Sequence, residues 1–421
     1  MKIKKSDLTI FAIYFLALLN YSIFKVLPLG NLNSVTSVMV ASTFLIVCLY
    51  FTSKKNNRYL SNLCIGIIAV FVLEAVYSSV RYGYSITDTI KNSLFDRLLF
   101  VLLCIPIEEQ IQKKRITIDK LIQFLILWGI VAYGIRFFIS SVYNFTGQYV
   151  FQDIAKEYAM DHWVRAGNLR VNPPYIAVLA VPIGFYYWKT NEHSRKKRIL
   201  GLSFIVISVI FTFAVHIARS LMIYQIVTLA MMYIFQKQRS KSKIIAVIVV
   251  VVAVVIAVNT TTVENFIESF TFTGSEGRST SIRLEALASY LAGWSKNWLF
   301  GIGPMEYDHL HSVYRILNGR SASITDIGFL GFACKYGIFG CLIGIAIISR
   351  FISTAIKTIR KNSKYRALAI GITTSYLLFE INIDSFTIGI ITFALPISIA
   401  IMETIRFEVM GGKEDEKRAT H

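Results

Sequence analysis

The chain has 421 residues, 55% hydrophobic and only 16% charged, and its 44 Lys and Arg against 25 Asp and Glu give a formal net charge of +19. A mean hydropathy of +0.56 excludes a disordered chain, a coiled coil and an ordinary water-soluble enzyme. The positive charge lies in short gaps between apolar runs, where it sets membrane orientation; no nucleic-acid partner is expected.

In chain order, apolar runs fall near 8–27, 34–52, 60–80, 90–107, 119–142, 172–188, 199–215, 219–235, 244–258, 326–348, 367–386 and 388–405. The expected fold is an all-α polytopic membrane protein of about 12 transmembrane helices, one integral membrane domain over 1–421. The first run follows Lys2, Lys4 and Lys5 but ends in Leu27-Pro28-Leu29-Gly30 without a small-x-small cleavage pattern, so it is expected to stay as an anchor. Connectors 1–7, 53–59, 108–118, 189–198, 236–243, 349–366 and the tail after 405 are dense in Lys and Arg, which assigns them and both termini to the cytoplasm. The opposite side receives short links at 28–33, 81–89 and 216–218, an outer loop at 143–171 and a large outer loop at 259–325. Four cysteines lie inside apolar runs and Cys334 just within another, the pattern of small buried residues rather than of disulfides or metal ligands.

Ionisable residues inside spans are costly, so their depth is informative. Glu74, Asp96, Arg97, Arg136, Lys335, Glu380 and Asp384 all fall in the outer halves of their runs, which points to a polar cavity open to the outside. Any one of them could instead snorkel or pair between helices. The basic residues also differ between sides. Lys dominates the cytoplasmic connectors, whereas the outer side carries Arg81, Arg97, Arg136, Arg165, Arg170, Arg219, Arg278, Arg283, Arg315 and Arg320. Topology needs only charge, but Arg adds a planar fork of donors that fits phosphate oxygens bidentately. Salt bridges to outer acids such as Asp153 or Glu264 are the plainer use of some of these.

The large outer loop holds Leu284, Leu287, Leu291 and Trp294 at helical spacing, so an amphipathic helix is expected over 281–293, bringing Arg278 and Arg283 to the membrane face. A Gly301-Ile302-Gly303-Pro304 turn follows, then Asp308, His309, His311 and Arg315, and Asp326 at the mouth of the tenth run. Two histidines at i, i+2 without a carboxylate or Cys partner make a poor metal site, and Walker, G-x-S-x-G and H-E-x-x-H patterns are absent. No metal and no cofactor are expected.

Four stretches resemble the superfamily of bacterial O-antigen ligases and Wzy polymerases. They are Arg170-Val171-Asn172-Pro173-Pro174, Ala218-Arg219-Ser220, Arg283 followed by Gly301-Ile302-Gly303, and Asp326-Ile327 followed after nine residues by Gly337-Ile338-Phe339-Gly340. The resemblance covers about 165–345 and implies a metal-independent, inverting transfer of a glycan from an undecaprenyl-diphosphate-linked oligosaccharide on the outer face of the bacterial cytoplasmic membrane. It implies diphosphate binding by Arg219, Arg170 and Arg283, with Arg278 beside them, and proton handling by Asp326 or His311. Arg165, Arg136 and Glu74 are further candidates. A flippase and a chain-length regulator of the same pathway would be partners. Ligases of the family carry His where this chain has Asp326, which favours a polymerase making capsule, O-antigen or exopolysaccharide; a ligase and a non-enzymatic polyisoprenoid or sugar transporter are the competing readings.

Overall fold

The computed structural model describes residues 5–26, 35–83, 97–151, 164–165, 168–191, 193–216, 218–236, 277–303, 327–381 and 391–411, with a few single positions between them. The helices, in order, are α1 (Lys5–Asn20), α2 (Val35–Thr52), α3 (Arg58–Tyr82), α4 (Cys104–Gln112), α5 (Ile118–Thr146), α6 (Ala180–Thr190), α7 (Arg195–Phe211), α8 (Arg219–Ile234), α9 (Gly277–Lys296), α10 (Gly328–Arg360), α11 (Arg366–Phe379) and α12 (Ala394–Met410). Short 3-10 turns precede α4, α6 and α12, and a two-stranded antiparallel ribbon pairs Val164–Arg165 with Asn168–Leu169.

The all-α, membrane-type architecture follows from the apolar runs. Among the described residues, four helices are long and apolar enough to cross a membrane: α3, α5, α10, and α7 with its extension to His216. Large apolar side chains such as Phe44, Phe51, Val80, Phe145 and Leu342 are exposed on the helices, a surface suited to lipid rather than water. The ends are written in local sequence. The Asn57 side chain accepts from the Leu60 amide and that of Thr117 from the Lys120 amide, capping α3 and α5; Gly83 and Gly147, at φ +69° each, close the same two helices. Helices α6 and α7 pack where Gly184 meets Gly201, each leaving room for the other's backbone.

One run and one connector depart from expectation. The run at 90–107 is not one continuous helix: a 3-10 segment over Leu98–Leu103 hands over to α4, and Arg97 before it is left-handed at φ +52°. Glu108, Glu109 and Gln110, expected in a solvated connector, are buried. The expected span at 244–258 lies outside the described residues.

The buried acids explain themselves by their neighbours at the Lys/Arg-rich end of the bundle. Arg350 of α10 grips Glu403 of α12 with two hydrogen bonds, 2.6 and 2.7 Å, and stands over the Tyr59 ring. Asn57 bridges Glu108 (3.3 Å) and Glu403 (3.2 Å); Gln112 also donates to Glu108, and Lys113 pairs with Glu109. Burial pushes the Glu108 carboxyl up to about 7, against the pull of its two amide donors, while Glu403 and Glu109 add to the rise. Because the folded pKa lies above that of the unfolded chain, the stabilising contribution is full below the unfolded value and fades as pH rises towards 7. Glu108→Gln, which keeps the acceptor oxygen, should therefore match wild type in mild acid and exceed it above pH ~7, by up to about 3 kcal/mol. Thermal unfolding of purified protein across that pH range measures the difference; parallel pH curves for the two proteins would exclude Glu108 as the titrating group.

Candidate functional site

The charges expected in the outer halves of the runs belong to the other end of the bundle. Glu74, Arg97, Arg136, Lys335 and Glu380 are all buried in the protein, whereas Asp96 and Asp384 lie outside the described residues. Burial of groups so costly to dehydrate calls for specific partners. Arg136 shows them. With 2% of its surface exposed, it donates from Nε to the Asn172 carbonyl (3.1 Å) and from Nη1 to the carbonyls of Ala132 (3.0 Å) and Tyr21 (3.4 Å). One guanidinium thus ties α5 to the end of α1 and to the Asn172-Pro173-Pro174 stretch. Ser140 and Asn144, also on α5, bind the Leu169 carbonyl (3.0 Å) and amide (2.8 Å) and fix the chain just before it.

That anchoring positions Arg170, whose Nε donates to the His216 carbonyl at 2.8 Å. His216 ends a π-helical turn, Thr212–His216, and Arg219 opens α8 three residues later. Arg170 and the helix start bearing Arg219 are therefore brought together. The Arg219 side chain lies outside what the structure describes, as do the side chains of Arg165, Arg278 and Arg283; the backbone places the last two in the first two turns of α9. His311 and Asp326 lie outside the described residues altogether.

The chain flanking Asp326 is nonetheless well placed. Ile327 is buried, and the Phe329 amide donates to the Glu380 carbonyl at 2.8 Å, docking the start of α10 on the end of α11. Phe379, at that same end, packs against Tyr224 of α8, ring centroids 5.6 Å apart. The starts of α8 and α10 thus converge on one end of α11.

Sequence reasoning missed the device beside them. Helix α10 is broken at Gly337, whose φ +58° and ψ −147° are open only to glycine. Residues 298–303 enter the break. The amides of Ile302 and Gly303 donate to the carbonyls of Cys334 and Lys335, 2.9 Å each, while the Ile338 amide donates to the Trp298 carbonyl at 3.0 Å. Backbone groups released by the break are thereby satisfied at a depth where water is scarce. Helix α3 clamps the inserted segment from outside: Tyr77 stacks on Phe300 (4.8 Å between centroids, 17° between planes), and Tyr82 donates to the Ile302 carbonyl. Arg81 donates to the Tyr77 hydroxyl and lies 5.6 Å from the Tyr77 and Tyr82 rings, presenting an exposed guanidinium at the rim. The signal for this was the co-occurrence of Gly301-Ile302-Gly303 with Gly337, two halves of one contact.

Residues 204–345 match a family model described as O-antigen ligase. Over this stretch the chain is similar to the O-antigen ligase family. The stretch takes in a third of the sequence, including Arg219, Arg278, Arg283, His311, Asp326 and both glycine motifs. Arg136, Arg170 and Glu74 lie outside the matched stretch; Arg170 joins it through the His216 carbonyl, and Arg136 holds the Asn172 carbonyl two residues beyond Arg170. No curated protein matches the chain.

Proposed function

We propose that the protein is a polysaccharide polymerase: it transfers a growing glycan from an undecaprenyl-diphosphate-linked donor to a lipid-linked acceptor on the outer face of the bacterial cytoplasmic membrane. The observation that carries this reading is the approach of Arg170 to the turn before Arg219, inside and beside the stretch similar to the O-antigen ligase family. Two arginines converging at a membrane-edge helix start suit a diphosphate leaving group, whose charge grows as the glycosidic bond breaks. Arg283 and Arg278, early in α9, would complete the clamp, and Asp326 or His311 would accept or orient the proton of the attacking hydroxyl. The chemistry asks for no metal: the arginines supply the charge.

The broken α10 is the one observation that favours a transporter, since transporters coordinate ions with unwound backbone. Here the Cys334 and Lys335 carbonyls and the Ile338 amide are engaged by residues 298–303, which removes that use. The ligase reading rests on the family description and is separated from polymerisation by product. Asp326→Asn should halt chain growth so that single lipid-linked repeat units accumulate, and Arg219→Lys, which keeps charge but loses the fork, should do the same. Gel analysis of lipid-linked glycans at equal protein abundance is the measurement. Full-length chains held on the carrier would make the protein a ligase; wild-type chains from Asp326→Asn would reduce that residue to a helix cap, which Asn serves equally well.

A further inference from the structure

At the Lys/Arg-rich end, far from the site above, a cavity of about 300 Å³ opens between the ends of α6 and α8 and the start of α11. Lys189, Lys364 and Arg366 line it together with Thr190, Ser363 and Gln236; no carboxylate does. Glu408 and Asp119 both act electrostatically on Lys364 without lining the cavity, and Asp119 accepts the Tyr186 hydroxyl at 3.0 Å. Arg366 is steadied by the Asn362 side chain (3.3 Å).

Two features narrow the ligand. The first is depth. Lys189 lies 4.0 Å over the Trp188 ring, Lys364 lies 4.7 Å over Tyr365, and Tyr365 stacks with Tyr186 at 5.8 Å. Aromatic rings mixed with lysines mark headgroup level, where a cavity between helix ends meets phospholipid before solute. The second is polarity. One side-chain oxygen of Gln236, Oε1, is buried without a hydrogen-bond partner, so the cavity offers an acceptor as well as cations. A phosphodiester has no proton to offer that acceptor; a hydroxyl beside it answers the need.

The geometry points to a lipid site here: the cavity holds the headgroup of an anionic glycerol-type phospholipid, phosphate against Lys189, Lys364 and Arg366, hydroxyl towards Gln236. It is independent of the transfer chemistry at the other end. The hydrogen bond with Tyr365 raises the Lys364 pKa, so this cation stays charged at any physiological pH.

The test is lipid retention by purified full-length protein in neutral detergent, titrated with phosphatidylglycerol or phosphatidylcholine and read by native mass spectrometry. Phosphatidylglycerol should bind one copy preferentially, and Lys189→Gln/Lys364→Gln/Arg366→Gln should weaken it roughly a hundredfold. Lys54→Gln/Lys196→Gln/Lys197→Gln, with the same loss of charge on exposed residues of that end, should not. Equal loss in both triple variants would mean general surface attraction and overturn the site. Displacement of the lipid by inorganic phosphate or glycerol 3-phosphate at comparable concentration would assign the cavity to a soluble phosphate instead. Should the first variant fold poorly, a headgroup-photoreactive phosphatidylglycerol on wild-type protein decides the matter: crosslinks to 186–190 and 362–367 support the site, and crosslinks elsewhere alone refute it.

Discussion

Gly337→Ala should inactivate the protein and lower its stability by about 3 kcal/mol or more. The residue sits at φ +58°, ψ −147°, a conformation that costs an alanine about 1–3 kcal/mol by itself. A Cβ there would also stand 2.6 Å from the Leu299 carbonyl carbon and 2.7 Å from the Gly301 nitrogen, both backbone atoms that cannot swing aside. Relief would require withdrawing residues 298–303 from the break, which strands the Cys334 and Lys335 carbonyls and the Ile338 amide. Gly134→Ala is the matched control, since a Cβ at that position of α5 meets nothing within 4 Å. Thermal unfolding in detergent and glycan synthesis in cells should both separate the two variants; a wild-type melting curve from Gly337→Ala would show that the inserted segment does not depend on this break.

Arg136 carries the second large effect. Arg136→Met fills much the same volume but leaves the Asn172 and Tyr21 carbonyls without their donor, at about 1–3 kcal/mol each. A loss of about 2–5 kcal/mol is expected, with glycan synthesis falling in parallel because the Asn172-Pro173-Pro174 stretch holds Arg170 near α8. Arg136→Lys should fall between the two, since one ammonium cannot span three carbonyls with the same fixed fork. If Arg136→Met keeps full stability but loses synthesis, the guanidinium acts on substrate and not on the chain.

How far the sequence discloses this protein depends on whether a feature has a side-chain period. Helix α5 was expected over 119–142 and runs Ile118–Thr146, and α8 opens at Arg219 as its motif indicated, because apolar runs and caps are local signals. The breaks were not legible. Hydropathy averaged over a window is blind to one left-handed residue, so Arg97 and Gly337 divide runs that look continuous. Glu108 was assigned to a solvated connector because charge normally marks one, and it is Asn57 and Glu403, distant in sequence, together with Gln112 one turn along α4, that reveal why it is buried. At the site, the depth of Arg136 was readable but its partners were not, since the acceptors are backbone carbonyls common to every residue. Arg170 and the Arg219 turn were named separately; their meeting through the His216 carbonyl is a tertiary fact.

The insertion of residues 298–303 into α10 has a bearing on how such a protein can change its specificity. Gly303 is pinned to Lys335, and the chain next described, Ile327, begins the same helix. The points from which residues 304–326, with His311 and Asp326, leave and to which they return therefore lie about two helical turns apart on the first part of α10, ahead of the break at Gly337. Their ends are fixed whatever lies between. Between two fixed ends, closing a longer flexible chain costs only about 0.6 kcal/mol more for each doubling of its length. Under the proposed function, insertion and deletion in the tract that bears His311 and Asp326 would be a route to altered substrate preference that leaves Arg170 and the start of α8 in place.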